Sequence, residues 1–257
     1  MIELKSAREI GLMRRAGHIL SEVMQRLRTT VKAGITTLEI DADVEEFIRS
    51  KGARPAFKGY RGFPATVCIS INEEVVHGIP SAQRHVKEGD IVGLDLGCIV
   101  EGYYADCAFT VAVGEVPSRV QELLAVTRES LELGIVECRP GRRLSDVSHA
   151  IQTHVERHGF SVVRAFVGHG IGRALHEEPQ VPNFGDPGRG PQLRPGMVLA
   201  LEPMVTMGSW EVRILDDGWT AVTKDGSLAA HFEHTIAVTE SGPEVLTSTT
   251  GDSARAA

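Results

Sequence analysis

The sequence predicts an α+β fold in which two α/β halves, related by a pseudo-twofold axis, surround a mainly antiparallel sheet. Three observations predict it. Helical patterns are followed by strand patterns twice along the 257 residues. The two series are separated by a constant offset, equal to the spacing between Gly34 and Gly141. Each half also contains an apolar, strand-like run with one acid in it, Asp95 in the first half and Glu202 in the second.

This constant offset relates several separated points of the chain: Gly34 and Gly141, Gly52 and Gly159, Gly89 and Gly196, and Asp95 and Glu202. A constant offset is typical of an internal duplication, with coincidence among common glycines as the alternative. We therefore predict halves at about residues 5–113 and 114–240. Since no long linker separates them, we expect a single domain over residues 1–257, with a mobile tail over 241–257.

In the first half, Ser6 and Glu9 form a capping box ahead of a helical pattern over residues 7–28. Thr36 begins a second helix, which ends at Gly52. The β-branched run over residues 66–76 predicts a strand, and residues 89–96 and 103–113 predict a hairpin.

The second half repeats this order. Ser118 and Gln121 predict the start of a helix over residues 120–136, and Ser145 begins another helix that ends at Gly159. Strands are predicted over residues 162–167, 197–201, 210–214 and 231–238, and a Pro/Gly-rich loop over 182–196.

Composition excludes several classes of protein. A hydrophobic content of 42% and a charged content of 24% are ordinary for a soluble globular protein, and a net charge of −7 disfavours a general nucleic-acid or acidic-membrane binder. The four cysteines show no CxxC pair, which favours a reduced compartment. Because the N-terminus lacks an apolar signal and no run is long enough to cross a membrane, we expect a cytoplasmic protein.

One segment departs from the acidic average. From its start to Lys32, the chain holds seven Lys or Arg against three Glu. A solvated helix face is the simpler interpretation, and docking to an anionic partner such as ribosomal RNA is the alternative hypothesis.

Five residues suggest a metal centre. Asp95 and Asp106 flank a glycine-containing turn, so they would face each other on the arms of the predicted hairpin. Glu202 and Glu233 supply a second acidic pair, and His169 lies in a glycine-rich segment. Four carboxylates in one cavity require compensation, and about two divalent cations would balance them.

Other interpretations of these residues remain open on spacing alone. Each acid could end a strand or form a turn, and His169 could be a hydrogen-bonded core residue. His169 and His176 could instead belong to a two-histidine, one-carboxylate iron site, but three acids would then be unexplained. A Walker loop, an HExxH motif and a GxSxG elbow are all lacking from the sequence.

The ordered ligand set, together with the motifs VVHGIP (75–80), GHGIGRALHEEP (168–179), LALEPM (199–204) and FEHTIAV (232–238), closely resembles the bacterial type I methionine aminopeptidases. The resemblance runs from about residue 5 to residue 240 and implies the pita-bread fold. It implies that Asp95 chelates one metal ion, that Asp106 and Glu233 bridge two ions, and that His169 and Glu202 complete the second site. It also implies that His77 and His176 are the two active-site histidines.

The resemblance further implies removal of the N-terminal methionine from nascent proteins with a small second residue, by metal-activated water. Glu202 would transfer the proton of that water to the leaving amine, His176 would stabilise the oxygen of the tetrahedral intermediate, and His77 would position the peptide. Carboxylate-rich ligation suits Mn²⁺ or Fe²⁺, while Co²⁺ and Zn²⁺ also fit the site.

The substrate side chain would lie among four residues: Tyr60, Phe63, Cys68 and Trp219. Core packing is the alternative for each of the three aromatic residues. Three positions differ from many bacterial relatives: Phe57 and Val76 stand in place of Cys, and Leu175 in place of Phe. None of these is an expected ligand, so the differences bear on the shape of the pocket.

Two other functions are alternatives to an aminopeptidase. A proline-directed peptidase of the same fold would use the same ligands but usually carries a further N-terminal domain. A non-catalytic binding module would lose ligands, whereas all five are present here. We expect a monomer that acts on nascent polypeptide N-termini.

Overall fold

The computed structural model describes residues 2–248 of the chain. Its first half contains α1 (Ala7–Thr30), α2 (Thr37–Ser50), β1 (Arg54–Pro55), a short 3₁₀ helix (Tyr60–Gly62), β2 (Val67–Ile71), β3 (Glu74–Val76), β4 (Ile91–Val100) and β5 (Tyr103–Ala112). The second half contains α3 (Ser118–Glu137), α4 (Leu144–Arg157), β6 (Ser161–Val162), β7 (Gly168–Gly170), β8 (Glu177–Val181), β9 (Val198–Leu201), β10 (Met204–Thr206), β11 (Val212–Ile214), β12 (Ala221–Thr223), β13 (Ala229–His231), β14 (Glu233–Thr239) and β15 (Gly242–Val245).

The main sheet has nine strands and joins the two halves. Its order is β1-β4-β5-β14-β9-β7-β8, with β2 paired to β4 and β15 paired to β14. Two three-stranded sheets, β13-β10-β6 and β11-β12-β3, flank it. The strand pairs of these sheets run antiparallel within the described residues, so the predicted α+β class with a mainly antiparallel sheet is confirmed.

The duplication offset recurs in the backbone. When the offset is added to the first and last residue numbers of α2, it gives those of α4, and the same holds for β1 and β6. The Gly34 N–H donates to the Val86 carbonyl at 2.8 Å, and the equivalent Gly141 N–H donates to the Leu193 carbonyl at 3.0 Å. Gly34 and Gly141 have φ of 93° and 89°, a left-handed conformation that favours glycine. The shared glycines therefore mark shared turns.

The helices follow the sequence pattern closely at three of their four starts. The Ser6–Glu9 and Thr36–Glu39 capping boxes are both present. The start of α3 was predicted wrongly, because Ser118 is the first helical residue and Pro117 precedes it without a side-chain cap. Helix α4 begins one residue before the predicted Ser145, where the Asp146 carboxylate accepts the Arg143 N–H at 2.8 Å.

Two predicted strands are each divided in two. The run over residues 66–76 turns at Asn72, whose φ of 60° lies in the left-handed region that Asn tolerates. The run over residues 231–238 breaks at Phe232, whose N–H bonds to the Pro203 carbonyl instead of joining a ladder. These breaks let one segment contribute to two sheets.

Two further strand predictions and the tail prediction need correction. The strand expected over residues 162–167 is limited to Ser161–Val162, because the chain then bends and Phe166 packs against His77. The strand expected over residues 210–214 begins only at Val212. Residues 242–245, predicted as part of a mobile tail, form β15 on the edge of β14, and residues 249–257 of that tail lie outside the described part of the chain.

The hydrophobic core draws on both halves. One buried cluster extends from Ala16 on α1 to Val238 on β14 and includes Leu123 on α3 and Val147 on α4. This shared core supports our proposal that the chain forms one domain. Within the described residues, no helix combines the length and hydrophobicity of a membrane span.

Two glycines of α1 provide a test of this packing. An added Cβ at Gly17 would lie 2.1 Å from the Leu246 carbonyl oxygen, whereas at Gly11 the nearest atom is 4.0 Å away. We expect Gly17→Ala to lower the free energy of unfolding by about 1–3 kcal/mol through overpacking against backbone. The control Gly11→Ala should raise it by about 0.5–1 kcal/mol. Urea denaturation measures both, and equal effects at the two positions would contradict the packing.

Candidate metal centre and adjoining pocket

Strand register brings three acids to one face of the main sheet. Residues directly opposite each other in an antiparallel pair point to the same face. Asp95 lies opposite Ala108, and Asp106 lies opposite Gly97 two residues along the same ladder. Glu233 on β14 also lies opposite Ala108. The two aspartates are thus diagonal neighbours, with Glu233 beside them across β5.

The remaining two ligand candidates reach the same face from the second half. His169 on β7 lies opposite Ala200 on β9, and Thr235 on β14 lies opposite Ala200 from the other side. Glu202 follows Ala200 by two residues, just past the end of β9. The alternation of side chains along a strand therefore directs Glu202 and His169 toward Glu233.

The donor atoms of this group lie close together. One atom from each of Asp106, His169 and Glu233 falls within 4.8 Å of the others, and all three residues are buried. The His169 Nε2 lies 3.9 Å from Asp106 Oδ2 and 3.5 Å from Glu202 Oε1. Asp95 is placed beside them by register and is half-buried.

Glycine and a backbone contact fix the His169 ring. A Cβ at Gly168 would lie 2.4 Å from the Ala200 carbonyl oxygen, and one at Gly170 would lie 2.2 Å from the Glu178 carbonyl oxygen. Only glycine at these positions lets β7 approach its neighbours so closely. The His169 Nδ1 lies 2.9 Å from the Gly170 carbonyl oxygen, so Nδ1 carries the proton and Nε2 presents a lone pair to the acids.

Burial of four carboxylates strongly perturbs their protonation. Desolvation raises the pKa of Asp95 to about 7. Desolvation, followed by the charge of the neighbouring carboxylates, raises the pKa values of Asp106, Glu202 and Glu233 well above their usual range. Desolvation also lowers the pKa of His169 to about 4, so this imidazole is neutral. Carboxylates that keep their protons in this way can release them when a cation binds.

The donors fit a divalent metal. The buried oxygens Asp95 Oδ1, Asp106 Oδ1 and Glu233 Oε1 find no hydrogen-bond partner within residues 2–248. Unpaired buried carboxylate oxygens are unfavourable in a protein interior unless a cation accompanies them. Oxygen donors with one neutral imidazole are a ligand set for divalent cations. The site therefore has the chemistry of a divalent-metal centre.

A pH-dependent response to metal follows from these pKa shifts. The folded protein keeps carboxyl protons above the pH at which an unfolded chain releases them, so the free energy of unfolding without metal falls as pH rises from about 4 through 7. Buried neutral histidines such as His169 have the opposite effect, because they raise the free energy of unfolding as pH rises. This increase ends at about pH 6.5, where the histidines of the unfolded chain also lose their protons. Metal competes with those carboxyl protons. We expect the rise in melting temperature caused by Mn²⁺, relative to chelator-treated protein, to grow between pH 6 and pH 8; a rise that shrinks would contradict it.

Several rings adjoin the acids, where the substrate pocket is predicted. The His169 and His176 rings lie 4.2 Å apart between centroids, and His176 stacks on Tyr60 at 5.4 Å. The Tyr60 hydroxyl lies 2.9 Å from His176 Nδ1. On the other side, Phe63 meets Trp219 edge-on at 5.2 Å. Aromatic walls of this kind suit an apolar, polarizable side chain.

His77 lies between two of these rings in an unusual backbone conformation. Its φ of 62° is in the left-handed region, which for a residue other than glycine carries strain of about 1–3 kcal/mol. The imidazole contacts Phe166 and Trp219 edge-on, at 5.3 and 6.4 Å between centroids. Desolvation lowers the pKa of His77, so it acts as a neutral group. The surrounding structure thus holds His77 at the pocket wall.

The structure also shows where Cys68 lies, together with the three positions that differ from many bacterial relatives. Cys68 lies directly opposite Asp95, on the metal-facing side of β2, and burial raises the pKa of its thiol well above the usual range. Phe57 and Leu175 belong to the same buried cluster as Phe63 and Cys68. Val76 belongs to a separate cluster with Met204. Phe57 and Leu175 therefore shape the pocket, whereas Val76 supports the strand before His77.

Two residues near the site were not anticipated from sequence. His231 is buried, and its Nε2 lies 4.0 Å from Glu202 Oε2 with no hydrogen-bond partner in the described chain. Glu202 thus lies between two imidazoles. Phe166 is the other, through its contact with His77. No local pattern identified His231, because the chain changes sheets between His231 on β13 and Glu233 on β14.

Known proteins are similar to this chain in sequence and in architecture. The model of metallopeptidase family M24 matches residues 11–240. Methionine aminopeptidase 1 of Bacillus subtilis is 53% identical over 247 residues, which cover 96% of this chain and 99% of that protein. Methionine aminopeptidase 1 of Mycobacterium tuberculosis is 45% identical over 253 residues, covering 96% and 95%.

Solved structures give the same result. The crystal structure of a methionine aminopeptidase from Thermotoga maritima is 50% identical, covers 97% of this chain and 100% of its own, and superposes with a TM-score of 0.96. A prolidase from Pyrococcus furiosus, 22% identical with a TM-score of 0.78, shares the fold alone. These similarities confirm the predicted pita-bread fold. The chain therefore belongs to metallopeptidase family M24 and, within it, to the bacterial methionine aminopeptidases.

Proposed function

We propose that the protein is a metal-dependent aminopeptidase that removes the N-terminal methionine from nascent proteins whose second residue is small. The observation that carries this function is the buried cluster of Asp106, His169 and Glu233, which adjoins a ring-lined pocket through the contact of His169 with His176. Relatives with the same architecture bear the name methionine aminopeptidase.

We propose that two divalent ions would be held here, one by Asp95 and the other by His169 and Glu202, with Asp106 and Glu233 serving as ligands to both. Three unpaired buried carboxylate oxygens support this assignment. Bound there, the metals would lower the pKa of water and polarise the scissile carbonyl. Mn²⁺, Fe²⁺ and Co²⁺ suit the donors, and Zn²⁺ also fits.

Glu202 is our candidate for proton transfer. Its carboxylate lies 3.5 Å from His169 Nε2 on one side and 4.0 Å from His231 Nε2 on the other. Both imidazoles are neutral, because desolvation lowers the pKa of His169 to about 4 and that of His231 to about 3. We assign Glu202 the transfer of a proton from the attacking water to the leaving amine.

His176 is our candidate for a hydrogen-bond donor to the substrate. Desolvation is the main cause that lowers its pKa, to about 3, although the side chain is partly exposed, so the ring is neutral near pH 7. When the Tyr60 hydroxyl donates to His176 Nδ1, the remaining ring proton is on Nε2. That N–H would stabilise negative charge on the substrate carbonyl oxygen, while His77 positions the peptide on the leaving side.

The pocket accounts for a preference for methionine. Tyr60, Phe63, Cys68 and Trp219 would surround the substrate side chain, and a thioether packs well against aromatic edges and a thiol. Capture of the free α-amine at the metals would restrict the activity to the first peptide bond.

Hydrolysis of Met-Gly-Met-Met tests the proposal. Chelator-treated protein is reloaded anaerobically with Mn²⁺, Fe²⁺ or Co²⁺, and release of free methionine is compared with cleavage of Leu-Gly-Met-Met and of X-Pro dipeptides. We expect metal-dependent release of methionine that exceeds both comparisons. Faster cleavage of X-Pro dipeptides would favour the prolidase function, and no release with any metal would favour a binding module.

The proposed substrates are made in the cytoplasm, where we predict that the protein acts as a monomer. Docking to the ribosome through α1 stays a prediction. Four of the seven basic residues up to Lys32 are paired with acids from other parts of the chain: Lys5 with Glu177, Arg14 with Glu244, Arg15 with Glu101 and Arg26 with Asp43. This internal pairing reduces the charge that the segment could offer to RNA. Normal ribosome binding by a charge-reversed α1 would exclude docking there.

A further inference from the structure

The amino-terminal segment ahead of α1 is tied to the loop that carries His176. The Lys5 N–H donates to the Gly196 carbonyl at 2.7 Å, which fixes the segment against the second half. The Lys5 ammonium forms an ion pair with Glu177 and donates to the Glu3 carbonyl at 3.1 Å. Only 4% of the Lys5 side chain is exposed, which is rare for a lysine.

Glu177 closes the loop that precedes it. Its Oε1 accepts the backbone N–H of Arg173 at 2.7 Å and that of Ala174 at 3.1 Å. The other oxygen, Oε2, takes the Lys5 ammonium. Both carboxylate oxygens are thus used, one for the loop and one for the amino-terminal segment. Glu177 is adjacent in sequence to His176, so its position sets the backbone of that histidine.

Packing around Gly172 shows how closely the two parts fit. A Cβ at Gly172 would lie 2.2 Å from Lys5 Cε and 2.8 Å from Glu177 Oε1. The lysine stem therefore fills the space beside the loop backbone. The Tyr104 N–H donates to the Gly172 carbonyl at 2.8 Å and ties the other end of the loop to β5.

The His176 side chain itself has few restraints. It is solvent-exposed and is held by Tyr60 and by the ring of His169. Its catalytic position therefore depends on the backbone that carries it. A displacement of about 1 Å in a catalytic group is enough to cost about 10²-fold in rate.

We propose that the buried Lys5–Glu177 ion pair is a positioning device that holds His176 in register with the metal centre. The inference rests on the proposed function, in which His176 acts on the substrate carbonyl. Removal of the lysine charge would leave the Glu177 carboxylate with two backbone donors and a buried oxygen without its cation. The loop would then relax, and His176 would move with it.

The test compares Lys5→Met and Glu177→Gln with a matched control, Arg14→Met, which removes an exposed ion pair from α1. We expect kcat for Met-Gly-Met-Met to fall about 10–100-fold in the first two variants, with KM and metal content unchanged, and no change in the control. Glu177→Gln keeps the shape of the side chain, so it tests the proposal even when Lys5→Met fails to fold.

A His176→Ala background separates positioning from a general structural effect. If the ion pair acts through His176, Lys5→Met should lower kcat no further in that background. A full additional loss there, or an unchanged kcat in both single variants, would overturn the proposal.

Histidine ¹⁵N resonances give a readout that does not require the reaction. The His176 signals, assigned by their loss in His176→Ala, should shift in Lys5→Met and stay in place in Arg14→Met. If the wild-type protein releases no methionine, the proposed function fails, and this spectrum alone decides the positioning role. Unshifted His176 signals in Lys5→Met would overturn it.

Discussion

Glu202→Gln is expected to lower kcat/KM for Met-Gly-Met-Met by about 10³-fold, within the range of about 10²–10⁴ for a general acid–base group. The substitution keeps the volume of the side chain but removes the carboxylate that lies between His169 and His231. An amide can neither take up the proton of the attacking water nor bind a divalent cation well. We therefore expect a loss in kcat together with weaker metal binding.

The metal-free protein provides a second readout for the same variant. Desolvation raises the pKa of Glu202 well above its usual range, so its ionised form is unfavourable in the absence of metal. Glu202→Gln should accordingly leave the melting temperature of chelator-treated protein unchanged or higher, while the increase caused by Mn²⁺ becomes smaller. Glu211→Gln, at an exposed glutamate paired with Lys224, is the matched control. Wild-type activity in Glu202→Gln would refute the assigned role.

His176→Ala is expected to lower kcat by about 10²–10³-fold, the usual effect of removing one oxyanion donor. Metal content should be unchanged, because His176 is not one of the five proposed ligands and its Nδ1 is occupied by the Tyr60 hydroxyl. The exposed His149 on α4 supplies the control, and His149→Ala should behave as wild type.

Tyr60→Phe refines the test of His176. It removes the hydroxyl that lies 2.9 Å from His176 Nδ1 and leaves the stacked ring in place. The loss of one hydrogen bond that fixes the tautomer should cost about tenfold in kcat. A His176→Ala enzyme with normal kcat but reduced metal content would instead identify His176 as a ligand.

The clustering of the acids was largely predictable, because the sequence patterns that indicate it are either local or repeated at the duplication offset. Asp95 and Asp106 lie on one hairpin, whose register follows from a two-residue turn at Glu101 and Gly102. Glu202 is the counterpart of Asp95 at the duplication offset. The roles assigned to the individual ligands still rest on resemblance and stay predictions until the variants are measured.

What the sequence did not reveal depends on segments that are distant along the chain. The contact between Lys5 and Glu177 spans 172 residues and has no local pattern. The break at Phe232 arises because one segment joins two sheets, which hydrophobic alternation cannot express. His231 looked like an ordinary strand residue until Glu202 was placed beside it. Tertiary packing decided each of these features.

The contacts between the two halves also determine when the acids of the site come together during synthesis. The Thr235 hydroxyl bonds to the Asp106 carbonyl across 129 residues, and Glu233 reaches the aspartates only when β14 docks on β5. Closing so long a loop is a late and slow event in folding. A chain that ends before Glu233 lacks one of the four acids, so we expect it not to hold the two proposed metal ions. We therefore expect the proposed activity to appear only after almost all of the chain has been synthesised.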